Sequence, residues 1–226
     1  LAATFFKAAS QTTQRKFTAL FLLLLAYLIL YPYARNAALA FRIFSSVVTV
    51  LSVYAVSFRR SLLWVALVLA VPTLVQRIFL PRANAGAFPL AGIVLGFAFD
   101  LFIVMVIFRR VFMEDDPTKE AIFGALCIYL LAGFSFTSIY DMLVTVQPHA
   151  FYLDPTLNTK AVPNRFDLIY YSFATLTCLG ASGISPVSAQ ARSLSVIEGL
   201  LGVLYLAVLI SRLLTAYHAR AAADGK

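Results

Sequence analysis

Hydrophobic and polar positions along this chain come in long blocks, not in residue-by-residue alternation. Apolar runs cover 17–33, 37–57, 61–80, 88–108, 121–144 and 193–214, each bounded by basic or turn-forming residues. A helix needs roughly 20 apolar residues to cross a bilayer core, so each run predicts a spanning helix. A seventh run, 166–177, is about half that long. The small-residue stretch 177–183 follows it directly. Non-helical backbone is tolerated at membrane depth only where protein buries it or where it lines a watery cavity. A short helix and a glycine-bearing loop between two full spans therefore suggest a pore. The expected fold is all-α and integral to the membrane: six transmembrane helices, with a re-entrant pore helix and filter-like loop between the fifth and sixth.

Polar punctuation divides these blocks. Glu114, Asp115, Asp116 and Pro117, with Glu120 beyond, mark a helix start. Asp116 suits the cap, Pro117 the first turn, and the acids complement the positive helix end. The expected organisation is a cytoplasmic N-terminus (1–16), a four-helix transmembrane region (17–110), a pore module of outer helix, pore helix, filter loop and inner helix (111–214), and a cytoplasmic tail (215–226). The stretch 147–164, with Pro148, Pro155 and Pro163 among polar residues, reads as an extracellular turret.

Composition agrees with the block pattern. The 226 residues are 62% hydrophobic and 12% charged, with a mean hydropathy of +0.88, whereas about a quarter of a soluble domain is charged. The formal charge of +8 sits at the ends of the apolar runs. In a six-span path, Lys7, Arg15, Lys16, Arg59, Arg60, Arg109, Arg110, Lys119, Arg212, Arg220 and Lys226 share one side. The other side is sparser, with Arg35, Arg82, Lys160 and Arg165, while Arg42 and Arg77 can snorkel toward it. The positive-inside rule then places both termini in the cytoplasm of a multi-pass protein of the cell membrane. It also accounts for the charge without a nucleic-acid partner. Cys127 and Cys178 have no metal-ligand spacing, and His149 and His218 are far apart. Ser172, Ser182 and Ser185 have no base nearby in sequence. No metal, cofactor or catalytic residue is expected, and the chain does not read as an enzyme.

The run from Phe166 to Leu214 resembles the pore module of tetrameric potassium channels, particularly bacterial ones with two pore helices per subunit. The shared features are Tyr170-Tyr171-Ser172-Phe173, Thr175-Leu176-Thr177, Leu179-Gly180, Ile184-Ser185-Pro186 and Leu204-Tyr205-Leu206-Ala207-Val208-Leu209. The preceding spans match the six-helix channel layout in helix count only. Such channels replace an ion's hydration shell with backbone carbonyls from four copies of one loop. The resemblance implies a homotetramer in the lipid bilayer, of the bacterial inner membrane, passing a monovalent ion. It assigns the filter to Thr177, Cys178, Leu179, Gly180, Ala181, Ser182 and Gly183, and its support to Tyr171, Ser172 and Thr175. It places an inner-helix gate or hinge at Glu198, Gly199 and Gly202. Glu198 is expected to bond to the pore-helix region, and the two glycines serve either bending or close packing.

Four positions depart from the family pattern TVGYGD or TLGYGD. Cys178 stands where a threonine hydroxyl helps form the innermost site, and a thiol is a weaker ligand. Ala181 replaces the tyrosine that packs on the pore helix, Ser182 the second glycine, and Gly183 the aspartate that braces the outer mouth. The expectation is a passive cation pore with weakened or altered potassium selectivity. The alternative is a non-conducting, channel-like structural subunit of a larger membrane complex. An anion pore would need a cationic ring, for which Lys160 and Arg165 are the outer candidates. A voltage sensor needs arginines repeated along one span, and the run 88–108 contains none. Asp100 within it is expected to bond to Ser52 or Tyr54 of a neighbouring span.

Overall fold

The computed structural model describes residues 16–31, 33, 38–56, 60–79, 87–113, 119–158, 160–181 and 183–224. The terminal segment 1–15, the helix-start signal 114–117, Arg35, Arg59, Arg82, Ser182 and Lys226 lie outside the described residues.

The apolar blocks become helices: α1 (Lys16–Leu30), α2 (Ala38–Val56), α3 (Arg60–Phe79), α4 (Ala87–Met113), α5 (Lys119–Val146), α6 (Arg165–Leu176) and α7 (Ala189–Asp224). Among the described residues, Leu90–Phe112, Ala121–Val146 and Ala189–Thr215 are long and apolar enough to cross a membrane. Lys16–Leu30, Ile43–Val56 and Arg60–Gln76 are shorter apolar helices. The helix α4 runs on past the apolar block to Met113, so Arg109 and Arg110 lie in its final turns.

The chain forms two compact units, Leu1–Ser138 and Ile139–Lys226, divided within α5. In the first, α1 packs on α2, α2 on α3 and α3 on α4, and α2 also meets α4. The buried face of α1 is Phe17, Leu20, Leu24 and Tyr27, the three-and-four spacing of one helical stripe. Tyr27 stacks on Phe44 at 5.9 Å and meets Phe134 edge-on at 5.1 Å. Hydroxyls enter this apolar packing by bonding to their own helix. Thr49 and Ser52 donate to the carbonyls of Ser45 and Val48 at 3.0 and 2.8 Å. A hydroxyl that bonds to its own helix in this way can be carried into an apolar interior. The Ser52 hydrogen goes to the Val48 carbonyl, and the Tyr54 ring lies 4.4 Å from Lys16 Nζ. Asp100 itself is half-buried.

The second unit contains a feature the block pattern does not predict. Strands β1 (Phe151–Leu153) and β2 (Ile184–Pro186) pair antiparallel, with Phe151 opposite Pro186, Tyr152 opposite Ser185 and Leu153 opposite Ile184. Helix α6 packs on α7. The start of α6 is fixed by a capping box. Asn164 accepts from the amides of Phe166 and Asp167 at 2.8 and 3.0 Å, and Asp167 accepts from the Asn164 amide at 2.8 Å. Arg165 donates to Asp141 of α5 at 2.9 Å.

Candidate functional site

The loop after α6 is held at its inner end by the helix it leaves. Thr177 closes α6 in a right-handed conformation (φ −88°, ψ 0°), and Cys178 then turns left-handed (φ 56°). The Cys178 amide donates to Thr175 O at 3.0 Å and the Leu179 amide to Ala174 O at 2.9 Å. This is the Schellman pattern, in which glycine usually takes the left-handed place. A side chain there costs roughly 1–2 kcal/mol. The Gly180 amide also reaches Ala174 O, at 3.2 Å, while the Thr177 amide and hydroxyl both donate to Phe173 O, at 3.1 and 2.7 Å. The amides of the loop's first residues thus face back into the helix end. Its carbonyls are left as the groups that can meet an ion. Thr177, Cys178, Leu179 and Gly180 are exposed, and the Cys178 thiol is free.

The outer end is held by residues far away in sequence. Gly183 is left-handed (φ 80°), and its carbonyl accepts from the Asp154 amide at 3.0 Å and from Asn158 Nδ2 at 2.9 Å. A carbonyl oxygen has two lone pairs, and here both are engaged. Of the residues assigned to the filter, Gly183 is therefore an anchor in this conformation. Ser182 lies outside the described residues. Strand β2 follows at once and pairs with β1, so the exit of the loop is tied to the turret.

Behind the loop lies a buried polar cluster. Glu198 of α7 is fully buried and accepts from Ser172 Oγ at 2.5 Å and from Tyr140 Oη at 2.6 Å. One carboxylate thereby joins α5, α6 and α7. The rings of Tyr140, Phe151 and Tyr171 meet edge-to-face around it, 5.0–5.5 Å apart. Ser195 donates to Ala191 O at 2.7 Å, so the 2.5 Å bond between Tyr171 and Ser195 takes its hydrogen from the tyrosine. Thr175 donates to Tyr171 O at 2.8 Å within its own helix. The glycines of α7 differ. A Cβ on Gly202 would collide with the Leu176 carbonyl at the end of α6, whereas one on Gly199 would rest 3.8 Å from Thr175 O.

The structure thus gathers Tyr171, Ser172, Thr175, Glu198, Gly199 and Gly202 around the end of the short helix. Tyr140, Asp154 and Asn158 belong to the same assembly and carry no filter-like signal. The Asp154-Pro155-Thr156 turn is readable locally, but nothing in sequence links it to Gly183. Arg165 is engaged with Asp141 and Lys160 is exposed, so the two do not form a matched cationic set.

Residues 122–218, from the first turn of α5 through most of α7, match the family model described as "Ion channel". This segment belongs to the potassium-channel type of pore family. No curated protein and no solved structure matches the chain. The matched segment contains most of α5, all of α6, the doubly anchored loop and most of α7. Residues 122–218 thus form an ion-channel domain, in a chain whose long apolar helices are those of a membrane protein.

Proposed function

We propose that this chain is one subunit of a passive, tetrameric cation channel with weakened or altered potassium selectivity and no voltage sensor. The observation that carries this reading is the loop after α6, exposed at 177–180 and anchored at both ends with its leading amides turned into the helix. Backbone oxygens gathered from several copies of such a loop favour cations whatever the side chains. The inner helix supports assembly: Val196, Leu200, Val203, Leu204, Val208 and Ile210 are exposed along α7, an apolar surface suited to lipid and to further copies. The altered selectivity rests on Cys178 and Ala181 within the loop and on the engaged carbonyl of Gly183. The missing sensor rests on α4, whose arginines stand only in its last turns.

The test is a reversal potential in a planar bilayer containing purified protein. Potassium against sodium gives the cation preference, and a potassium chloride gradient separates cations from anions. The expected result is a cation current with a permeability ratio closer to unity than a potassium channel's. Reversal at the chloride potential would refute the cation reading, and silence would assign the chain to a structural subunit.

A further inference from the structure

Between its two clamps the loop is exposed at Cys178, Leu179 and Gly180 and half-buried at Ala181, so the clamps set the spacing of its carbonyls. The inner clamp is helix backbone. The outer clamp is a turn in the turret, closed by hydrogen bonds among its own residues. There the Asp154 carboxylate accepts from the Thr156 amide and hydroxyl at 2.9 and 2.7 Å, and the Asp154 carbonyl from the amides of Leu157 and Asn158 at 3.1 and 2.9 Å. Those bonds to Thr156 hold the Asp154 carboxyl below the usual aspartate range. Asn158 closes the clamp: its Nδ2 bridges Asp154 O at 3.1 Å and Gly183 O at 2.9 Å. Both amide hydrogens are then used, so the side chain has one orientation. Gly183 fits the turn in return. A Cβ there would approach Asn158 Nδ2 at 3.1 Å and Leu157 at 3.2 Å.

We infer that Asn158 is a positioning residue for ion selection: from the turret, its amide sets the outer end of the pore loop and thereby the carbonyl spacing that ions meet. The inference rests on the channel reading above, and it makes the turret part of the filter's scaffold. The loop needs such an outside brace because Gly183 has no side chain to brace itself.

The informative variant is N158D in the full chain, with N158A beside it. The introduced carboxylate keeps the shape, removes the donor and faces two carbonyl oxygens. Facing them raises its pKa above the ordinary value of about 3.9. Acidification then protonates it, and the new O–H can donate where Nδ2 did. Other titratable or charged groups on the joined segments are His149, Tyr152, Asp154, Lys160 and Arg192, whose Nε donates to Pro186 O at 3.2 Å. All are shared by the wild type and N158A, which therefore control for them.

Two readouts are taken at neutral pH and again on acidification. Amide exchange of Asp154, Ile184 and Ser185 reports the clamp, and the alkali-cation permeability series reports the filter. At neutral pH, N158D is expected to exchange about tenfold faster, the scale of one lost hydrogen bond, and to have a changed permeability series. Acid is expected to reverse both changes in N158D and neither in N158A. Unchanged exchange overturns the inference, as does faster exchange with an unchanged series, or acid recovery in N158A. A silent wild type instead overturns the channel reading, and the selection role with it. Failure of that reading thus appears in the wild type, failure of this one only in the variants.

Discussion

At the scale of single residues, Glu198 and Gly183 carry the most structure. Glu198 is the shared acceptor for Ser172 and Tyr140 in a site without solvent. Glu198→Ala leaves two buried hydroxyls without that acceptor, and each costs about 1–3 kcal/mol when unsatisfied. Thermal unfolding in detergent should therefore show a large loss for Glu198→Ala. A loss of about 1 kcal/mol is expected for Glu198→Gln, which retains one carbonyl acceptor. Equal losses would mean that packing volume, not hydrogen bonding, is what Glu198 supplies. At Gly183 the family's aspartate would be misplaced in this chain. Its side chain would meet Asn158 and Leu157 at a left-handed backbone. Gly183→Asp should cost about 1–2 kcal/mol and speed exchange at the Asp154 amide. A stable variant with unchanged protection would show that the outer clamp tolerates the family residue. Restoring potassium preference therefore calls for Ala181→Tyr with Ser182→Gly, leaving Gly183 in place.

At the scale of elements, the contact between α6 and α7 separates two glycines that look alike in sequence. Gly202 lets α7 approach the Leu176 carbonyl, while Gly199 has ordinary space around it. Gly202→Ala must push backbone from backbone, at a cost of about 1–3 kcal/mol for an overpacked site. Gly199→Ala gains up to about 1 kcal/mol of helix propensity with no clash to offset it. Unfolding of the two variants should thus move in opposite directions. If both destabilise alike, the close approach at Gly202 is not what distinguishes them. The two short strands and the capping box at Asn164 act at this scale too, fixing the entry to α6 and the exit from its loop.

At the scale of the whole molecule, one chain supplies one pore loop, so the proposed channel needs further copies around it. Native mass measurement in detergent is expected to give a tetramer. A single copy bound to unrelated subunits would instead favour the structural-subunit alternative. The exposed apolar side of α7 is where such copies, or lipid, would lie.

The sequence by itself determined the helices and the class of membrane protein. Run length and polarity are properties of contiguous residues, and a bilayer demands both from each span. It also made the pore module legible, through a short motif whose members are neighbours in the chain. The tertiary structure decided the bonds that hold the motif. Tyr140 and Glu198 are 58 positions apart, and Asn158 and Gly183 are 25 apart. Neither hydrophobic period nor local turn chemistry specifies such pairs. The left-handed turn at Cys178 was likewise hidden, because the helix end sets it rather than any preference of cysteine. What the filter loop is made of can be read along the chain; what holds it in place depends on packing between distant segments.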